Sequence, residues 1–238
     1  MWRGVLLSMM LSASAPASAE KLILSTEYYP PYNLRDADGN PSGVYMDQLK
    51  IVLERTHTNY EATVMPWARA IALAENESMH CVFAAARTPE RESRFKWVSP
   101  IHTDRNVLVA RAGTHFDINT LEDAKAYTVG TQRNDYTEAL LHSMNFPRID
   151  ISADFTNTLS KLVAGRIDLM PMSESALKSL PRGTFQEVIT FSHQSLGMAC
   201  NRSVPDSLID SMQKVLDDLI ADGTQRRIYE KYDLIIRD

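Results

Sequence analysis

Two arginines, Arg87 and Arg91, stand in the stretch Ala84-Ala85-Ala86-Arg87-Thr88-Pro89-Glu90-Arg91-Glu92, directly after an apolar run that reads as a strand. A guanidinium is a planar fork that meets a carboxylate through two parallel hydrogen bonds, and such a pair gains strength in a partly dry cleft. Open α/β sheets bind ligands just past the carboxyl ends of their strands, which is where both arginines fall. On spacing alone the plainer reading prevails, in which they are solvated charges neutralised by Glu90 and Glu92.

Other chemistry has little to work with. The six histidines are scattered without an H-E-x-x-H pattern, and His80-Cys81 is an isolated neighbour pair that reads as structural. There is no G-x-S-x-G around a serine and no C-x-x-C. No two of the nine glycines are spaced as G-x-G, so the dinucleotide fingerprint and the phosphate loop are both missing. These absences imply no metal and no cofactor, and they favour binding over catalysis. Cys81 and Cys200 each sit inside an apolar run, where they read either as core residues or, in an oxidising compartment, as a disulfide pair.

The elements that position these residues alternate between strand and helix. Residues 21–25, 60–65 and 80–86 read as strands, and 43–53 and 67–74 as helices. The pattern then repeats, with strands at 127–131, 149–152 and 167–172 and helices at 135–144 and 158–164, the last stopped by Gly165. The chain therefore reads as two βαβαβ units in tandem. A further strand at 196–200 and a helix at 205–222 follow, the helix opened by Pro205 and closed by Gly223. Its apolar stripe runs Leu208, Ile209, Met212, Val215, Leu216, Leu219, Ile220. Such a partial unit needs a sheet to cover, and the first unit is the natural host. The expected division is one discontinuous lobe, 20–102 with 195–238, and a second lobe, 103–194, joined by a hinge of two crossings.

Residues 1–19 carry Arg3, an apolar run from Gly4 to Leu11 and the small-residue ending Ala17-Ser18-Ala19, the layout of a cleaved secretory signal peptide. The run is shorter than the roughly 20 residues needed to span a bilayer. A soluble periplasmic protein is therefore expected. With 25 basic against 30 acidic residues, a net charge of −5 and no basic run, nucleic acid and anionic membrane surfaces are poor partners. Its 44% apolar content supports an ordinary core.

The run Thr88-Pro89-Glu90-Arg91 before Phe95-x-Trp97-Val98-Ser99-Pro100-Ile101 resembles the T-x-x-R…F-S-x-P-Y stretch of the polar amino-acid-binding proteins, family 3 of the bacterial extracellular solute-binding proteins that serve ABC importers. Ser25-Thr26-Glu27-Tyr28-Tyr29-Pro30-Pro31-Tyr32, then Gly39, Gly43 and Asp47, then Val129-Gly130-Thr131-Gln132 resemble it further. Gly165-Arg166-Ile167-Asp168, Asp222-Gly223-Thr224 and Ile228-Tyr229-x-Lys231-Tyr232 complete the ordered set. The resemblance implies an α/β, two-lobed periplasmic-binding fold of type II, each lobe a mainly parallel sheet flanked by helices. It implies closure on a small polar, amino-acid-like solute by hinge motion. The expected partner is the membrane permease of an ABC importer, and the expected state is a monomer.

Carried over by position, the resemblance makes Arg91 the counter-ion of a ligand carboxylate, with Arg87 as the next candidate. Tyr29 and Trp67 become aromatic walls, Trp67 reading nearly as well as a core tryptophan, and Glu27 and Ala86 join the cleft. Asn134, Asp135 and Tyr136 fall where the family opens a helix whose N–H groups help hold the carboxylate, although Asp135 reads equally as a simple cap. The family's aspartate for the ligand ammonium corresponds here to Ser173, beside Glu174. Either Glu174 or Asp135 then supplies the missing charge, or the ligand has no α-ammonium. The family layout also sets Cys81 and Cys200 on neighbouring strands. Two alternatives accompany the receptor reading: a cyclohexadienyl dehydratase-like cleft enzyme using Glu174 as acid, and a soluble ligand sensor for a membrane signalling protein.

Overall fold

A computed structural model describes residues 21–234, so the leader at 1–19 lies outside the described residues. The first unit runs β1 (Leu22–Thr26), the short pair β2 (Leu34–Arg35) and β3 (Pro41–Ser42), α1 (Val44–Arg55), β4 (Tyr60–Val64), α2 (Trp67–Asn76) and β5 (His80–Ala86). A four-residue helix, α3 (Pro89–Glu92), leads into the 16-residue strand β6 (Lys96–Arg111). The second unit is α4 (Leu121–Ala124), β7 (Val129–Gln132), α5 (Tyr136–Ser143), β8 (Ile149–Ser152), α6 (Phe155–Val163), β9 (Met170–Ser173) and α7 (Glu174–Ser179). The chain returns along β10 (Phe185–Cys200) and finishes with α8 (Asp206–Ala221) and α9 (Thr224–Glu230).

The two units share one topology. In the first, β1 pairs in parallel with β4 on one side and β5 on the other. In the second, β7 pairs in parallel with β8, and a parallel bridge from Val129 to Leu169 joins it to the chain entering β9. A central strand flanked by the next two in sequence is thus built twice, as right-handed crossovers favour. The remaining pairings are antiparallel: β10 with β5, β10 with β6, and β6 with β9. Each lobe's own strands are thus mainly parallel, and the antiparallel pairings come with the ribbon that joins the lobes. The physical reason is the connection itself, because β6 leaves the first lobe and β10 returns to it along the same ribbon.

That ribbon is paired from Phe185↔Arg111 to Cys200↔Lys96. Its first-lobe end borders β5 at Leu196–Cys200, and its second-lobe end borders β9 at Asn106–Val109. Between them, around Thr103–Arg105 and His193–Gln194, neither strand pairs with a third strand. The sequence reading placed no strand between 86 and 127 and began the last strand at 196, so it missed most of this ribbon.

Core packing follows the apolar patterns. Buried Met46, Leu49, Val52 and Leu53 turn α1 onto the sheet, and Ile209, Met212, Leu216 and Leu219 do the same for α8. Ile220, read as part of that stripe, is 40% exposed at its margin. Cys81 and Cys200, opposite each other on β5 and β10, are fully buried and joined by a disulfide. Among the described residues no helix is long and apolar enough to cross a membrane.

Candidate functional site

A small cavity of about 60 Å³ lies between the lobes, walled by Glu27, Tyr29, Tyr32, Asn33 and Tyr45 from the first and by Gln132, Asp135, Tyr136 and Ser173 from the second. Ala86, at the carboxyl end of β5, also lines it. Ligand pockets generally hold roughly 300 to 1,000 Å³, so a solute can enter only when these walls part.

Sequence chemistry explains how the first wall is held. Gly43 sits at φ 101°, and a Cβ there would fall 2.4 Å from the carbonyl oxygen of Tyr32, so only glycine lets α1 start this close to the Tyr32 segment. Tyr45, in the first turn of α1, stacks on Tyr32 at 4.8 Å between ring centroids, and Tyr32 stacks in turn on Tyr29 at 5.9 Å. Tyr29 and Asn33 exchange two backbone hydrogen bonds of 2.9 Å.

Five buried polar atoms of this wall and its opposite have no hydrogen-bond partner among the described residues: Glu27 Oε2, both Asn33 amide atoms, Tyr45 Oη and Gln132 Oε1. Burial, reinforced by the negative charges of Asp135 and Asp154, raises the Glu27 carboxyl well above the ordinary carboxylate range. Folded proteins seldom leave buried polar groups unsatisfied, so such a cluster in a single cavity is chemically unusual.

The lobes touch across the cavity. Asn134, at φ 60°, directs its carbonyl into the first lobe, where it accepts hydrogen bonds from Trp67 Nε1 at 2.9 Å and Arg91 Nη2 at 2.9 Å. Arg91 is 6% exposed, donates also to Ala86 O, and lies 5.5 Å over the Trp67 ring. Burial lowers its pKa, while the negative charge of Asp135 acts in the opposite direction. On the other side, Ser173 N donates to Tyr29 Oη at 3.0 Å, and Ser173 Oγ to Tyr32 Oη at 3.3 Å.

Where the two strands cross, Tyr32 Oη donates to Asp104 Oδ2 at 2.5 Å, which also accepts from Ser175 N at 3.3 Å, while Oδ1 accepts from Arg105 N. His102 Nε2 lies 3.6 Å from the same Oδ2. Burial alone would raise Asp104, but the hydrogen bonds from His102 and Tyr32 outweigh it and push the carboxyl down to about 2. One buried carboxylate at the crossing thus answers groups from both lobes.

Several expected site residues fall elsewhere. Arg87 is exposed, forked onto Glu92 at 2.8 and 2.5 Å, and faces an outer groove instead of the cavity. Glu174 does not line the cavity: its carboxylate accepts from Arg105 at 3.1 Å and Lys178 at 2.6 Å. Burial opposes the charge, yet these two hydrogen bonds outweigh it and lower the pKa of Glu174, the reverse of what a proton-holding acid requires. Trp67 packs in a buried cluster with Ile71, Val82 and Phe95, with its indole nitrogen reaching the other lobe. Asp135 does cap α5, its Oδ1 accepting from Thr137 N at 2.9 Å, and it lines the cavity as well. Asn33, Tyr45 and Gln132 escaped the sequence reading of the site. Tyr45 and Gln132 lay within stretches that carried the resemblance and Asn33 directly followed one, but nothing in their spacing marked them as facing one cavity.

The bacterial extracellular solute-binding proteins, family 3, match the chain over residues 22–234. A search of curated proteins finds no match. Among solved structures, an ancestral arginine-binding protein bound to arginine is 23% identical, with a TM-score of 0.79 over 89% of this chain and 97% of that one. The arginine-, lysine-, histidine-binding protein ArtJ from Geobacillus stearothermophilus is 18% identical, with a TM-score of 0.79 over 90% of this chain and 95% of that one. An ancestral amino-acid-binding protein, a precursor of cyclohexadienyl dehydratase, is 20% identical, with a TM-score of 0.75 over 89% and 94%. At such identities the likeness establishes the type II periplasmic-binding fold and leaves the ligand open. By its sequence and architecture together, the chain belongs to the bacterial extracellular solute-binding proteins, family 3.

Proposed function

We propose that the protein is a monomeric periplasmic receptor that closes on a small, carboxylate-bearing, amino-acid-like solute and hands it to the permease of an ABC importer. The lobes in this reading are 20–102 with 195–238, and 103–194, hinged where β6 and β10 cross after removal of the leader at 1–19. The observation that carries it is the set of buried, unanswered polar atoms on residues that line one interlobe cavity, Glu27, Asn33, Tyr45 and Gln132. Arg91 lines the outer groove and not the cavity itself, but it has five N–H donors and serves two carbonyls, which leaves it capacity for a carboxylate when the lobes part. Asp135 supplies the negative charge for an ammonium, in place of the aspartate that Ser173 replaces. The test is a thermal-shift screen of amino acids, short peptides, polyamines and organic acids. A ligand at 100 times its Kd adds about 2.7 kcal/mol of stability. A panel in which no member raises Tm sinks the receptor reading.

A second reading, a cleft enzyme of the dehydratase kind, has one observation in its favour. The raised pKa of buried Glu27 suits a general acid, a role that the charged Glu174 does not suit. Incubation with prephenate and arogenate decides it: an aromatic product that disappears in Glu27→Gln replaces the receptor reading, and unchanged substrate removes the enzyme.

A further inference from the structure

We propose that the wall formed by Asn33 and Tyr45 is a subsite for a neutral carboxamide or ureido group at the far end of the solute, an inference that rests on the receptor reading. Asn33 is 1% exposed, and neither its Nδ2 nor its Oδ1 has a partner among the described residues. Tyr45, equally buried, likewise leaves its hydroxyl unanswered. Both are held in place by backbone and ring contacts instead of by their own polar atoms. Tyr45 N donates to Tyr32 O at 3.3 Å, the Tyr45 ring lies within 15° of the Tyr32 plane, and the Asn33 backbone is fixed by its two bonds to Tyr29. Both residues line the interlobe cavity.

Hydrogen-bond inventory selects the ligand chemistry. An ammonium or guanidinium only donates and a carboxylate only accepts, so each leaves half of the Asn33 amide unanswered. A carboxamide or a ureido group does both, and can pair with the Asn33 amide as one amide pairs with another. The Tyr45 hydroxyl then donates to the same carbonyl or accepts from the same nitrogen. Charge balance agrees: Arg91 and Asp135 already complement a zwitterionic head, so the remaining end needs polarity without charge. The Tyr32 hydroxyl is committed to Asp104, which leaves Asn33 and Tyr45 as the groups of this segment available to a solute.

Titration calorimetry of the purified protein with L-glutamine, L-citrulline, L-glutamate, L-arginine and L-norleucine tests this. Glutamine or citrulline should bind at least about tenfold more tightly than the other three, as expected for a site built to hydrogen-bond its substrate. In Asn33→Leu, and in the nearly isosteric Tyr45→Phe, the glutamine-to-norleucine affinity ratio should fall about tenfold, with thermal unfolding as the check on folding. Glutamate, arginine or norleucine binding as tightly as the carboxamides overturns the subsite alone. So does an unchanged ratio in the folded variants. Failure of all five to bind overturns the receptor reading together with it.

Discussion

Replacing Asp104 with asparagine removes the one charge that answers both lobes at the crossing. Its carboxyl stands at about 2 in the folded protein against an ordinary 3.8. At about 1.4 kcal/mol per pKa unit, that difference is on the order of 2.5 kcal/mol in favour of the folded, charged form. Because the native pKa is depressed, this contribution is fully present above the ordinary value and disappears as pH falls from about 3.8 through 2. Asparagine keeps one acceptor but turns its N–H₂ group either toward Tyr32 and Ser175 or toward Arg105, all of which donate to this site. Asp104→Asn should therefore unfold about 2 to 3 kcal/mol more easily at pH 5 to 7, a gap that narrows steadily toward pH 2.5. Urea unfolding followed by circular dichroism at pH 7, 5, 3.5 and 2.5 measures it. A gap that stays constant down to pH 2.5 would falsify the assignment of this stability to the carboxylate's charge.

Arg91→Ala should cost roughly 2 to 5 kcal/mol of solute binding while leaving the fold intact, read by calorimetry; a folded variant with native affinity contradicts the role given to Arg91. Burial, with Asp135 and Asp154, raises Glu27, so the folded state holds that proton more firmly than the unfolded chain does. Its contribution to stability is intact below the ordinary carboxylate range and is lost as pH rises to the raised native value, so Glu27→Gln should flatten the fall in Tm across that window. A Tm profile identical to the native one counts against it. The Cys81–Cys200 bond spans a sequence separation of 119, worth about 5 kcal/mol by chain entropy. The double alanine variant should lose stability of that order in urea, and two reactive thiols in the unfolded, unreduced protein would refute the bond.

Periodicity read the repeating units well where one face of an element is buried. The strand at His80–Ala86 and the helix at Asp206–Ala221 carry their patterns within a single environment, and both were read within a residue of their ends. The ribbon of β6 and β10 was not legible because each strand changes surroundings midway. Trp97 and Val98 lie in the first lobe, Val107 to Ala110 in the second, and the exposed or charged Pro100, Thr103 and Arg105 interrupt any alternation between them. The site divides the same way. Arg91 and Asp135 stood in local motifs, whereas the capture of Glu174 by Arg105 joins residues 69 positions apart in sequence. The unanswered state of Asn33 and Tyr45 is likewise a property of how far neighbouring side chains reach, which no local pattern records.

The two hydrogen bonds that Asn134 accepts from Trp67 and Arg91 are made by the protein with itself, so they reward lobe contact whether or not a solute is present. At about 1 kcal/mol net apiece, they tilt the open-to-shut balance by on the order of 30-fold. Capture begins from the molecules that stand open, and the apparent affinity is the intrinsic one multiplied by that fraction. A membrane partner that recognises the shut shape would accordingly register a standing background from the empty receptor. Loosening the tie at Asn134 would lower that background and, up to the point where the shut state itself becomes too costly, make the receptor easier to load.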